Sequence, residues 1–140
     1  MDTIVRLNKW ANAHTNVGFD FLRIALGGFL FYKGIDFMTQ TEQIIRVLDP
    51  IDTFGWTMII VHYIAMVHLF GGLLIAIGLL TRLSILIQLP ILIAAVLLNF
   101  IGDMNVSNLV QASAALLLSC FFLVYGSGKH SADYMLKMRQ

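Results

Sequence analysis

Residues 53–81 read TFGWTMIIVHYIAMVHLFGGLLIAIGLLT, a run of 29 residues without one Asp, Glu, Lys or Arg. About 20 apolar residues cross a bilayer, because its hydrocarbon core is about 30 Å thick and a helix rises about 1.5 Å per residue. Residues 83–102 and 104–128 also lack these four residue types and are long enough to cross. Backbone groups in lipid must be paired internally, so all three runs are predicted to be transmembrane helices.

The composition of the 140-residue chain supports a membrane protein. Hydrophobic residues make up 59% and charged residues 12%, about half of the ~25% that is usual in soluble domains. Such a composition excludes a disordered chain. The formal net charge of +1 argues against a nucleic-acid partner. A single cysteine excludes an intramolecular disulfide and a cysteine-based zinc site.

A fourth run, residues 17–38, contains four charged residues, yet its centre at 24–32 is uncharged. Lys and Arg near helix ends can extend their apolar stems along lipid and reach the headgroups. The predicted fold is therefore an all-α transmembrane four-helix bundle with spans at about 17–38, 55–80, 83–101 and 106–125. The predicted organisation is an amphipathic lead-in at 1–16, a membrane domain at 17–128 and a tail at 129–140.

The distribution of basic residues predicts the orientation of the bundle. Four spans place the N-terminus, the turn between spans 2 and 3, and the tail on the same side of the membrane. Arg46 is the basic residue of the opposite loops, whereas the first side has six: Arg6, Lys9, Arg82, Lys129, Lys137 and Arg139. Basic residues favour the cytoplasmic side. Both termini are therefore predicted to be cytoplasmic, in what we expect to be a bacterial inner membrane.

Three segments of the chain together resemble the DoxX family of small four-helix membrane proteins. They are FLRIALGGFLFYKGIDFM at 21–38, HLFGGLLIAIGLLTRL at 68–83 and VYGSGKHSADYML at 124–136. The recurrent residues of the family stand here as Arg23, Gly27, Gly34, Gly71, Gly72, Gly78, Thr81, Arg82, Gly126, Gly128, Ser131 and Asp133.

The resemblance implies an association with redox chemistry. DoxX-like proteins include the small membrane subunit of a thiosulfate:quinone oxidoreductase, and others assemble with thiol-handling or superoxide-detoxifying partners. A quinone and a redox partner protein are thus the implied cofactor and partner, besides the lipid bilayer and a possible homo-oligomer. Much of the family has a carboxylate just before the paired glycines, whereas this chain has His68 there.

Polar residues near the cytoplasmic ends of the spans form one candidate group. Asp20 and Arg23 are three residues apart on one helix face and can pair. Arg82 and Asp133 should lie at the same end. The four are interpreted as a structural set of ion pairs that closes the bundle. A site for a ligand or a lipid headgroup is the alternative.

Polar residues near the opposite ends form a second candidate group. An ionisable side chain within the membrane costs ~2.5–3.5 kcal/mol on insertion scales, so it is a functional candidate by default. Lys33, Asp36, His62, Asn99 and Gln111 lie at similar depth, and we expect them to converge in one pocket. There Lys33, His62 and Gln111 could each hydrogen-bond a quinone-type carbonyl. His68 is a further candidate ligand-binding residue. A hydrogen-bond network without a ligand is the alternative, and no metal site is expected.

Three functions compete at this point. The first is a redox-associated subunit that binds a quinone or another hydrophobic small molecule and docks a partner. The second is a non-enzymatic assembly factor or lipid-binding bundle. A small transporter is less favoured, because four helices enclose little space and the sequence shows no internal repeat.

Overall fold

The structure of the protein, a computed structural model, describes residues 6, 16–42, 56–101, 105–128 and 130–137. These residues form four long helices, α1 (Val17–Thr39), α2 (Thr57–Ile77), α3 (Thr81–Ile101) and α4 (Val106–Tyr125), and a short helix α5 (Ala132–Lys137). No strand occurs in this part of the chain. The predicted lead-in lies outside the described residues except for Arg6 and Asn16.

Local signals set the helix ends. The side-chain oxygen of Asn16 accepts a hydrogen bond from the Gly18 amide at 3.0 Å, and that of Asn105 accepts one from the Asn108 amide at 3.2 Å, so asparagine caps α1 and α4. The predicted second span extends to residue 80, but α2 ends at Ile77. Gly78 stops it because its backbone is left-handed, with φ 76°, a conformation that glycine adopts at little cost.

Three of the long helices are long and apolar enough to cross a membrane: Thr57–Ile77, Thr81–Phe100 and Val106–Tyr125. Helix α1 contains 23 residues and four charged side chains, and it packs along α2 more extensively than any other two helices pack. The predicted all-α membrane bundle of four helices is thereby confirmed. The side of the membrane that each end faces stays a prediction.

The helices follow one another around the bundle in chain order. Helix α1 packs on α2, α2 on α3 and α3 on α4, and a smaller contact between α4 and α1 completes the bundle. We call the end where α1 begins, α2 ends, α3 begins and α4 ends the tail end, because residues 126–128 and 130–137 lie there. The other end, where α1 ends, α2 begins, α3 ends and α4 begins, is the loop end.

Glycines bring α1 and α2 into backbone contact at two levels. A Cβ added to Gly27 would lie 2.6 Å from the Gly72 carbonyl oxygen, and one added to Gly34 would lie 3.0 Å from the Ala65 oxygen. Van der Waals packing of this kind holds membrane helices together, since lipid removes the hydrophobic drive between them. The α1–α2 pair is therefore tightly packed from the tail end to beyond the middle of the bundle.

Burial is uneven along α3 and α4. The core cluster consists of Leu26, Leu30, Ile75, Ile85, Leu92, Ala115, Phe122 and Tyr125. On α3 the last buried residue toward the loop end is Leu92, and on α4 it is Ala115; among the described residues 93–100 and 105–114 none is buried. The core cluster thus ends near the middle of α3 and α4, and the loop-end parts of these two helices are less closely packed. On α2 burial continues toward the loop end, at Ala65, Val61 and Thr57.

Candidate functional site

A dense cluster of polar groups joins α1 to the residues after α4. We call it the latch, and its members are Asp20, Arg23, Ser127, His130, Ser131 and Asp133. One Arg23 guanidinium nitrogen, Nη1, lies 3.2 Å from Asp20 Oδ1 and also donates to the Ser127 carbonyl. The other, Nη2, donates to the His130 carbonyl at 3.1 Å, and His130 Nδ1 lies 2.8 Å from Asp20 Oδ2. Arg23 is 2% exposed, so its charge is buried inside the protein, where several hydrogen-bond acceptors stabilise it.

The latch also holds the turn between α2 and α3. The Asp133 carboxylate accepts a hydrogen bond from the Leu80 amide at 3.0 Å, and the Asp133 amide donates to the Gly78 carbonyl at 3.1 Å. Ser131 donates to the Gly128 carbonyl at 2.7 Å and accepts from the Tyr134 amide, which caps α5. Residues 126–128 and 130–133 are therefore held against the bundle end by hydrogen bonds of small and polar residues.

Arg82 belongs to the same end but pairs differently from the sequence interpretation. Its Nη2 donates to the Val124 carbonyl at 3.0 Å, and its guanidinium lies over Gly126, where an added Cβ would be 3.1 Å from Nη2. Among the described residues neither Arg82 nor Asp133 has an ion-pair partner. Both therefore hold backbone groups, whereas Asp20 pairs with Arg23 and forms a hydrogen bond with His130.

The second candidate group lies in the loop-end half, and its charged members form a pair. Lys33 Nζ lies 3.7 Å from Asp36 Oδ2, with both side chains about one quarter exposed. The ammonium also lies 6.0 Å from the centre of the Phe29 ring. One turn of α1 thus presents a lysine and a carboxylate together at a partly buried position.

Helix register places three polar residues in line with the core. Lys33 is seven residues beyond Leu26 on α1, Asn99 is seven beyond Leu92 on α3, and Gln111 is four before Ala115 on α4. Seven residues make about two turns and four make about one, so each polar residue continues the buried face of its helix. All three are partly buried.

The three residues also lie at similar depth. Counted from the tail end of their helices, Lys33, Asn99 and Gln111 are about 24, 27 and 21 Å along. The side-chain amides of both residues form local hydrogen bonds: Asn99 Nδ2 donates to the Ala95 carbonyl at 2.8 Å, and Gln111 Nε2 donates to Ser107 Oγ at 3.1 Å. Together with Asp36, these residues are the loop-end polar group.

The two histidines of α2 differ in position. His68 is 4% exposed, and its ring meets Phe37 of α1 edge to face at 5.5 Å. His62 is exposed, and its Nδ1 is 2.8 Å from the Met58 carbonyl of its own helix. The buried face of α2 includes Val61, and the next residue is rotated by about 100°. The structure therefore does not bring His62 together with the loop-end polar group, although depth alone predicted it.

The buried polar residues that were not among the sequence candidates include Gln88 and Ser119. Gln88 and Ser119 are both 0% exposed, and no polar partner for their side chains occurs among the described residues. Their position in the core could be read from the spacing to Ile85 and Phe122. Their lack of partners could not, because it depends on how α3 and α4 meet.

Comparison with known proteins gives one result. The DoxX family model matches residues 18–100, which cover α1, α2 and nearly all of α3. No curated protein matches the chain, and no solved structure does. The match includes Lys33, Asp36, His68 and Asn99, whereas Gln111 and the segment 126–133 lie beyond it.

Proposed function

The chain belongs to the DoxX family, and from this premise we propose that it is a redox-associated membrane subunit that binds a quinone or a similar hydrophobic molecule. The membrane bundle and the family are established; the ligand and the redox role are the proposal. The proposed site is the loop-end half of the bundle, between the α1–α2 pair and the α3–α4 pair. In this proposal the chain binds the quinone, and a partner protein supplies the electrons.

One observation carries the proposal. The buried core stops at Leu92 on α3 and at Ala115 on α4, and beyond these residues the inward faces of the two helices carry the polar residues Asn99 and Gln111. Lys33 lies at a similar depth on α1. Gly34 keeps α1 close to α2 at this level, so the loss of close packing concerns α3 and α4. Small-molecule sites are typically apolar with a few convergent polar groups, so a less closely packed region with polar side chains on its inward face supports such a site.

The residues present suit a carbonyl ligand. Lys33 has three donor hydrogens on its ammonium, and Asp36 occupies one side of it at 3.7 Å. A bound carbonyl could therefore accept a hydrogen bond from Lys33 while the carboxylate holds the ammonium in place. Within the described part of the chain, the amides of Asn99 and Gln111 bond to groups of their own helices, and they can exchange those bonds for a ligand.

Titration of the purified protein with a short-chain quinone tests the proposal. Trp56 precedes α2 at the loop end, so binding should quench tryptophan fluorescence in a saturable way. A hydrogen bond to a charged group contributes about 1.5–3 kcal/mol, so Lys33→Met should weaken binding about 10-fold or more. His62→Leu is the matched control, because this exposed side chain lies outside the proposed site and its loss should leave the affinity unchanged.

The same experiment distinguishes the competing function. If quenching never saturates, or if Lys33→Met binds as tightly as the unaltered protein, the quinone site is refuted. A lipid that co-purifies in a fixed ratio, and that added quinone does not displace, would then support a lipid-binding assembly factor.

A further inference from the structure

The core of the tail-end half contains a line of polar side chains that the latch does not use. Thr81, Ser84 and Gln88 stand at positions i, i+3 and i+7 of α3, so they share one face. Ser119 of α4 is a fourth member. All four residues are 4% exposed or less. We call them the core polar line.

Most of these polar atoms lack a protein partner. Among the described residues, the hydroxyls of Thr81 and Ser119 and both amide atoms of Gln88 are buried without a hydrogen bond. Buried polar groups in native proteins are nearly always paired with protein or ordered water. Four such atoms in one half of a bundle of this size therefore call for a partner.

Gln88 and Ser119 lie at the same level of the bundle. The bond from Arg82 Nη2 to the Val124 carbonyl fixes the register of α3 against α4. Gln88 is six residues beyond Arg82, which places it about 9 Å closer to the loop end. Ser119 is five residues before Val124, which places it about 7.5 Å closer to the loop end. Their helices contribute neighbouring residues, Ile85 and Phe122, to a single core cluster.

Gly71 of α2 forms the third side of this region. A Cβ added to Gly71 would collide with Gln88 Nε2, so the amide lies directly against the backbone of α2. His68 stands three residues earlier on the same buried face of α2, about one turn closer to the loop end. The core polar line thus begins with Thr81 at the first residue of α3 and ends near His68.

We propose that the core polar line binds internal water molecules, which form a hydrogen-bonded path from the tail end of the bundle to the level of His68. An internal water needs two to four polar partners. Three possible partners lie at one level of the bundle: Gln88 Oε1, Gln88 Nε2 and Ser119 Oγ. A fourth, Thr81 Oγ1, lies closer to the tail end. The inference does not depend on the proposed quinone site.

A double-mutant cycle of Gln88→Met and Ser119→Ala tests the water site. If water bridges the two side chains, each single variant leaves the water short of partners and lowers the melting temperature by about 3–6 °C. The double variant then loses less than the sum, because both changes remove the same water. Ser113→Ala, on the partly buried part of α4, is the matched control.

If the two sites held no water, Gln88→Met would remove an unsatisfied amide and raise the melting temperature, and the two effects would add. That result overturns the proposal. Radiolytic footprinting of the unaltered protein gives a second measurement that needs no variant to fold. Leu92, one turn from Gln88, should be labelled by hydroxyl radicals from adjacent water more than Leu26 of α1, whose exposed fraction is similar, 2% against 4% for Leu92. Equal labelling of the two leucines contradicts the water path.

Discussion

Replacing Arg23 by leucine should destabilise the bundle severely. Arg23 is 2% exposed and contacts Asp20 and the carbonyls of Ser127 and His130. The variant leaves a carboxylate and two carbonyls without these donors. Removing one partner of a buried ion pair costs about 3–5 kcal/mol of stability. In a chain of this size, the melting temperature falls by about 2–4 °C for each kcal/mol that is lost. The melting temperature in detergent should therefore fall by about 10 °C.

Two further variants distinguish the destabilisation caused by losing the ion pair from that caused by a general loss of packing. Asp20→Asn with Arg23→Leu should be more stable than Arg23→Leu alone, because no uncompensated carboxylate remains. Arg6→Leu, at an exposed position, should change nothing. A fall below about 1 °C for Arg23→Leu would show that the latch does not hold the bundle end and would refute the reasoning.

The remaining predictions concern packing and orientation. Gly27→Ala should lower the melting temperature by several degrees, because overpacking costs about 1–3 kcal/mol, whereas Gly28→Ala should not, since open space surrounds Gly28; similar effects of the two would contradict the α1–α2 contact. A reporter that is active only outside the cytoplasm should stay silent when fused to the C-terminus, because basic residues favour the cytoplasmic side. Strong reporter activity there would reverse the predicted orientation.

The sequence predicted the helices well, for a physical reason. Charge-free runs of 20 residues or more have few alternatives to a transmembrane helix, so α2, α3 and α4 could be located directly. The ending of α2 at Ile77 needed more than hydropathy, because the apolar run continues through Leu79 and Leu80. The left-handed backbone of Gly78 decides it. The glycine spacing likewise indicated a close contact, and Gly27 and Gly34 make it with α2.

The candidate sites were less predictable, because depth and helix face are separate coordinates. His62 was placed by depth, yet it lies about 100° from the buried Val61 and faces outward. Lys33, Asn99 and Gln111 share both depth and face, which the spacing to the core residues on each helix reveals. Arg82 and Asp133 could be placed at one end from the sequence, but their bonding to backbone carbonyl and amide groups required the folded turn and tail.

Photoaffinity labelling with an azido-quinone tests the central claim most directly, since it reports where the molecule binds. The proposed site predicts labelled peptides from the loop-end parts of three helices: residues 29–37, 95–100 and 105–115. An excess of unmodified quinone should abolish this labelling, and Lys33→Met should reduce it. Labelling confined to outward-facing residues such as Tyr63 or Leu117, or labelling that excess quinone does not suppress, would contradict a site inside the loop-end half of the bundle.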